Sequence, residues 1–154
     1  MWRVALRNTF FALFLAVLAC VALPAQASAQ GLGVRAGASV DPDQFYFGGH
    51  YESRPLVDQL HFKPNLELGI GDDITTFGLN FEFVYKIPID SSPWNFYAGG
   101  GPAVNFYSFD NDSRTEGGLN VLFGAETTQG VFFELKLGAL DSPDLKFGVG
   151  YTWR

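Results

Sequence analysis

The sequence predicts an all-β fold: an eight-stranded antiparallel up-and-down transmembrane β-barrel that follows a cleaved signal peptide. Three observations carry this prediction. The chain opens with an apolar leader, and the rest divides into eight segments in which apolar and polar side chains alternate. The apolar faces also hold more large side chains than the inside of so small a barrel can accommodate. With 154 residues, the chain has the length of one domain.

The leader has the three parts of a secretory signal peptide. Arg3 and Arg7 precede an apolar run over residues 10–23, and Ala27-Ser28-Ala29 is a cleavage site of the A-x-A type. The run is short for a membrane-spanning helix, which needs about 20 residues. We therefore expect a signal peptide over residues 1–29 and a barrel domain over residues 30–154, with a retained anchor helix as the alternative.

Cysteine content and charge limit the expected chemistry and partners. Cys20 is the only cysteine, and it leaves with the leader unless residues 17–20 serve as a lipoprotein processing site, so we expect no disulfide. Removing Arg3 and Arg7 leaves eight basic residues against 16 acidic ones, a net charge of −8. Because the chain has no basic patch to neutralise phosphates, nucleic acid is not an expected partner.

The first four predicted strands each place large apolar side chains on one face and polar or small side chains on the other. They cover residues 32–40, 45–52, 61–71 and 76–87. The fourth has the cleanest alternation, with six apolar positions in succession on one face from Phe77 to Ile87. Asp41-Pro42-Asp43 and Gly71-Asp72-Asp73 are turn signals between these segments.

The last four predicted strands cover residues 94–107, 117–126, 131–140 and 145–153. The connection over residues 109–116 is the most polar in the chain, and we expect it to be a loop. Leu122 interrupts an otherwise polar face. Pro102 lies within the fifth strand, where a missing N–H favours a β-bulge; a lateral opening to the bilayer is the alternative.

The polar faces carry all the charges of the strands, in equal numbers of each sign. This predicted interior charge network consists of Arg35, Glu52, Lys63, Glu67, Glu82, Lys86, Glu126, Glu134, Lys136 and Lys146. Equal numbers suit a closed interior, in which charges must pair to offset the loss of hydration. A soluble barrel with its apolar face inside is the competing interpretation.

Amphipathic aromatic side chains recur on the apolar face at one end of the predicted barrel, where the strands start and finish. They are Tyr51, Tyr85, Trp94, Tyr151 and Trp153. Such rings favour the boundary between hydrocarbon and headgroups, so the pattern predicts an aromatic girdle at a membrane interface.

The last strand carries a terminal pattern of a polar residue, a glycine and two aromatics, formed by Lys146, Gly148, Tyr151 and Trp153. Together with the leader, the eight alternating segments and the glycine-rich stretch over residues 97–101, this pattern resembles small outer-membrane β-barrel proteins of the OmpA/OmpX type. The resemblance implies a bacterial outer-membrane location, with outer-membrane lipids, lipopolysaccharide and the barrel-assembly machinery as partners, and a monomer. Arg154 departs from the family pattern, which ends on the aromatic residue.

Two groups of side chains are candidates for chemistry. Nine carboxylates fall in or beside the connections at the end opposite the girdle: Asp41, Asp43, Asp72, Asp73, Asp110, Asp112, Glu116, Asp141 and Asp144. They suit either divalent cations such as Ca²⁺ or Mg²⁺ or ordinary solvated turns. His50 and His61 would face inward, as a metal or acid–base site or as filling for the interior.

No serine lies near a histidine in this layout, so we expect neither an enzyme nor a cofactor. The expected function is an outer-membrane barrel with a packed, charge-paired interior and no continuous channel, serving envelope structure or surface interaction. The alternatives are a lipid-modifying or lipid-carrying barrel with a lateral opening near Pro102, and a soluble periplasmic ligand-binding barrel.

Overall fold

Eight β-strands make up most of residues 31–154, the part of the chain that the computed structural model describes. The strands are β1 Gly31–Val40, β2 Gln44–Glu52, β3 Leu60–Ile70, β4 Ile74–Ile87, β5 Trp94–Phe109, β6 Ser113–Thr127, β7 Val131–Leu140 and β8 Leu145–Thr152. The predicted signal peptide and Cys20 lie outside the described residues. Within residues 31–154 there is no helix of the length and apolar character needed to cross a bilayer.

The strands close into a barrel. Each pairs antiparallel with the next, and β1 pairs with β8 from Gly33 opposite Thr152 to Val40 opposite Leu145. Closure provides hydrogen-bond partners for the backbone groups that β1 and β8 would otherwise expose at their edges. The predicted eight-stranded antiparallel barrel is confirmed. We call the end where β1 starts the terminal end, and the end with the turns over residues 41–43, 71–73, 110–112 and 141–144 the turn end.

The predicted loop over residues 109–116 is wrong. β5 runs on to Phe109 and β6 already begins at Ser113, and the two keep pairing up to Ser108 opposite Ser113. A hairpin that projects into water can carry polar side chains on both faces, so its polarity does not distinguish strand from loop. The result is that β6 extends beyond β7, because the two strands pair only from Gly118 onward, whereas β4 accompanies β5 up to Phe109.

The predicted bulge at Pro102 is also wrong. β4 and β5 pair at Asn80 opposite Ala103 and again at Phe83 opposite Gly100, with two unpaired positions between them that include Pro102. The register is the same on both sides of this gap. Pairing with β6 continues without interruption, with Pro102 opposite Leu119. The proline therefore removes a ladder bond on one side only, and the strand needs no extra residue to accommodate it.

Apolar side chains cover the outside of this barrel and charged side chains fill the inside. Phe45 is 79% exposed on the outer face of β2, whereas Glu82 on the inner face of β4 is fully buried at 0% exposure. The only cluster of buried apolar side chains among the described residues consists of Val84, Tyr97, Leu122 and Phe132. This distribution is the reverse of that in a water-soluble barrel.

Candidate functional site

The ten charged side chains that the sequence assigned to the interior all lie inside the barrel. Eight are buried, while Lys86 and Lys146 keep 13% and 11% of their side-chain surface exposed. Strand alternation alone places them there, because successive side chains of a strand point to opposite faces. The register of the strands then decides which charges meet, and it sorts them into two clusters.

The central cluster is built on three carboxylates and four bases. Arg35 Nη1 lies 3.1 Å from Glu67 Oε1 and 3.1 Å from Glu134 Oε1. Lys136 Nζ lies 2.8 Å from Glu82 Oε1 and 3.2 Å from Glu67 Oε1. Because Arg35 and Lys136 each touch at least two acids, the cluster is a network rather than a set of separate pairs. Such sharing offsets the cost of removing these charges from water.

Two further lysines complete the central cluster. Lys63 Nζ lies 3.8 Å from Glu134 Oε2 and 4.4 Å from the centre of the Phe132 ring, so a cation–π contact supplements a long ion pair. Lys146, from the predicted assembly signal, is paired with Glu67. Gly148, from the same signal, leaves room for the Tyr46 ring, whose Oη would lie 2.3 Å from any added Cβ.

The terminal cluster contains Glu52, Lys86 and Glu126 together with Arg154. Arg154 Nη2 lies 2.7 Å from Glu126 Oε2 and 3.2 Å from Glu52 Oε1, and Lys86 Nζ lies 2.9 Å from Glu126 Oε1. Burial lowers the pKa of Arg154, but attraction to Glu126 and Glu52 outweighs it and leaves the pKa raised. The sequence left Arg154 unexplained. With it, the interior holds six bases and five acids instead of five of each.

A ladder of asparagine amides connects the walls of the barrel at mid-height. Asn120 Nδ2 donates to Asn80 Oδ1 at 2.7 Å, and Asn80 Nδ2 donates to Asn65 Oδ1 at 2.8 Å. Both outer members also bond Glu82: Asn65 Nδ2 donates at 2.7 Å and Asn120 Nδ2 donates at 3.2 Å. These bonds satisfy the buried amides and join three strands through their side chains.

A small apolar plug separates the two clusters along β4 and β6. Val84 comes between Glu82 and Lys86 on β4, and Leu122 lies at the corresponding height on β6. Tyr97 packs beside them and donates its hydroxyl to Glu134 Oε2 at 2.9 Å. Leu122, which interrupts the polar face in the sequence, is therefore part of the filling of the barrel.

Each of the two inward histidines makes a polar contact within the protein. His50 Nε2 lies 2.9 Å from Thr152 Oγ1, and His61 Nδ1 lies 2.8 Å from the Ser53 carbonyl oxygen. Among residues 31–154, no three His, Cys, Asp or Glu side chains are grouped closely enough to hold a metal ion. Both histidines are buried.

The five aromatic residues of the predicted girdle project outward at the terminal end. Each is between 36% and 49% exposed: Tyr51, Tyr85, Trp94, Tyr151 and Trp153. Tyr51 lies opposite Leu32 near the start of β1, and Tyr85 lies opposite Leu60 at the start of β3. Tyr151 and Trp153 also pack edge to face, with ring centres 5.4 Å apart.

The fold has a counterpart among solved structures. The chain is similar to the N-terminal β-barrel domain of Pseudomonas aeruginosa OprF, with a TM-score of 0.58 and 14% sequence identity over 83% of this chain and 100% of that one. The two chains share a fold. No protein-family model matches this chain, and no curated protein matches it in sequence.

Sequence reasoning missed Arg154 and the plug for different reasons. Arg154 follows the last strand, where alternation no longer predicts direction, and only the closed barrel shows that it turns inward towards Glu52 and Glu126. The sequence did contain a signal, because Arg154 is a basic residue directly after Trp153. Strand alternation did predict that Leu122 points inward. Its role in the apolar plug could not be predicted, because it depends on contact with Val84 and Phe132, which lie on other strands.

Proposed function

We propose that this chain is a bacterial outer-membrane β-barrel with a structural role in the envelope and an interior too full to conduct. The observation that carries the proposal is the segregation of charge. No outward-facing position of the eight strands is charged, whereas both interior clusters are made of buried or partly buried ion pairs. An apolar exterior with a polar lumen is the arrangement that a bilayer stabilises and water does not.

The borders of the apolar surface support a bilayer as its partner. Outward polar side chains occur only near strand ends: Thr75, Ser108, Ser113, Thr115 and Thr127. Between these limits the outer face is formed by apolar and small side chains, and the aromatic girdle borders it at the terminal end. A band of this kind with a ring of Tyr and Trp fits hydrocarbon meeting headgroups.

The packing of the interior supports a closed barrel. The Asn65–Asn80–Asn120 ladder crosses the lumen, and the apolar plug lies between it and the terminal cluster. A cavity of about 10 Å³ lies between Glu67, Thr76 and Lys146, which is room for about one water molecule. This filling supports a structural role, and the likeness to the OprF barrel domain supports the barrel fold on which that role depends.

Membrane fractionation and gel mobility test the proposal directly. We expect the protein in the outer-membrane fraction, extractable only with detergent, and migrating faster when unheated than when boiled. In planar bilayers the purified barrel should give no steady conductance. A protein that stays soluble without detergent would exclude the membrane role, and stable single-channel steps would exclude the closed interior.

The lipid-carrying alternative has less support. A lateral opening would need β4 and β5 to separate near Pro102, yet their register is the same on both sides of the two skipped pairs. Gly101 also packs so closely on β4 that an added Cβ would lie 1.9 Å from the Phe81 carbonyl oxygen. An assay for lipid A acylation or deacylation with the purified barrel tests this alternative, and we expect no change in the lipid.

A further inference from the structure

Two connections at the terminal end of the barrel carry exposed aliphatic side chains. The β2–β3 connection, residues 53–59, presents Leu56 at 54% and Val57 at 65% exposure, and the β4–β5 connection, residues 88–93, presents Ile89. A single exposed aliphatic residue is ordinary, but two adjacent ones on a connection outside the strands form a small apolar surface. We call Leu56 and Val57 the apolar tip.

The apolar tip is fixed beside β3 by backbone hydrogen bonds. The N–H of Leu56 donates to the Leu60 carbonyl oxygen at 2.7 Å, and the N–H of Leu60 donates to the Val57 carbonyl oxygen at 2.8 Å. The Gln59 carbonyl oxygen accepts from the N–H of Lys86 at 3.0 Å, which joins the connection to β4 as well. The tip therefore presents its side chains from a backbone that is held on two strands.

The same hydrogen bonds place the apolar tip next to the aromatic girdle. Leu60, to which the tip is bonded, lies opposite Tyr85, a member of the girdle. Ile87 follows Tyr85 on the outer face as the last residue of β4, and it is exposed too. On this side of the barrel, the apolar outer surface thus continues past the girdle and onto the connections.

The connections at the turn end have the opposite character. They carry eight aspartates, no base and no large apolar side chain, over residues 41–43, 71–73, 110–112 and 141–144. An open cavity of about 490 Å³ lies between several of them and the start of β6. The connections at the terminal end hold only Arg54, Asp58 and Asp90 as charged residues. Because charged groups favour water over lipid, only the terminal end is suited to approach a bilayer closely.

We propose that the apolar tip inserts into the interfacial layer of the bilayer, among the headgroups and the first methylenes of the acyl chains, while the turn end extends into water. The partner is lipid because the tip continues the girdle, whose rings fit this same layer. Arg54, exposed two residues before the tip, has the reach to place its guanidinium at headgroup phosphates. The inference rests on the proposed membrane location and adds which residues outside the strands contact lipid.

A fluorescent dye on single cysteines, with the protein refolded into phosphatidylcholine vesicles, tests the proposal. In a Cys20→Ser background, Val57→Cys places the dye on the tip, and Gln129→Cys places it on the polar β6–β7 connection at the same end. Asn111→Cys reports on the turn end, and Val121→Cys reports on the outer face of the strands. We expect lipid brominated near the headgroup end of its chains to quench the Val57 dye at least two-fold more than the Gln129 and Asn111 dyes.

A carboxylate on the tip provides the second measurement. Leu56→Asp in the Val57→Cys chain should return the dye to water and remove its quenching, because a charged side chain is unfavourable in the interfacial layer. The substitution lies outside the strands and leaves the bonds of the barrel intact. Unchanged heat-modifiable mobility establishes that each variant is folded.

The Val121 dye separates failure of the tip from failure of the membrane location. If Val121 is quenched and Val57 is not, the barrel is in the bilayer and the insertion of the tip is wrong, which would leave the tip as a contact for a polypeptide. Quenching of Gln129 or Asn111 equal to that of Val57 would also overturn the inference, because the effect would then belong to the dye. If Val121 is not quenched, the membrane location itself fails.

Discussion

Arg154 Nη2 lies 2.7 Å from Glu126 Oε2 at the terminal end of the barrel, and the same nitrogen reaches Glu52. Glu126 belongs to β6 and Glu52 to β2, so one guanidinium links two walls that are not adjacent in the sheet. Among residues 31–154, Lys86 is the only other base in contact with these two carboxylates. The residue that follows the terminal aromatic therefore connects opposite walls of the fold.

Replacing Arg154 tests this link. In Arg154→Met, Glu52 and Glu126 share only Lys86, and we expect the free energy of unfolding to fall by about 1–2 kcal/mol, since the guanidinium is only partly buried. Urea unfolding in detergent, followed by gel mobility, measures the change. Arg114→Met is the matched control, because its pair with Glu116 is exposed and worth less than about 1 kcal/mol. Equal stability of both variants would contradict the link.

Lys136 tests the central cluster. It touches Glu67, Glu82 and Glu134, so Lys136→Met leaves three buried carboxylates with fewer bases. We expect a loss of about 3–5 kcal/mol, the usual cost of breaking a buried ion pair on one side. Lys136→Met/Glu82→Gln removes one of the carboxylates as well and should recover part of the loss. A single variant as stable as the unmodified protein would show that the network does not hold the barrel together.

Two glycines of β6 form a matched pair for testing interior packing. An added Cβ at Gly124 would lie 2.1 Å from the Tyr97 ring, whereas one at Gly117 would meet nothing within 4 Å. We expect Gly124→Ala to destabilise the barrel by about 1–3 kcal/mol through overpacking. Gly117→Ala should be neutral or slightly stabilising, because the added methyl group faces open space. If thermal or urea unfolding does not distinguish the two variants, the interior is less densely packed than the structure shows.

A charge on the outer face tests the bilayer contact. Val121 lies at mid-height on the outer face of β6, and Thr115 lies on the same face close to the turn end. We expect Val121→Arg to destabilise the barrel in lipid vesicles by about 2–4 kcal/mol, and Thr115→Arg by no more than about 1 kcal/mol. Refolding efficiency into vesicles measures both. Equal tolerance of the two substitutions would mean that Val121 does not face hydrocarbon.

Much of the architecture could be predicted from the sequence, because a single rule, the alternation of side chains along a β-strand, applies to all eight strands. With a period of two, the parity of a residue decides its face, and this placed Arg35, Glu82 and Lys136 inside without any knowledge of the register. The errors occurred where parity carries no information. Polarity alone made residues 109–116 a loop, although strand pairing continues to Ser113, and the proline suggested a bulge that the ladder does not need.

The sequence by itself determined the number of strands, the two faces and the set of side chains that must lie inside, since each depends only on local alternation. Only the tertiary structure decided the partners. Lys146 meets Glu67 and Arg154 meets Glu126 because barrel closure and register bring distant strands to one height, and no local pattern encodes that stagger. The open cavity at the turn end was decided in the same way, since it is lined by residues from several distant turns and by the part of β6 that extends beyond β7.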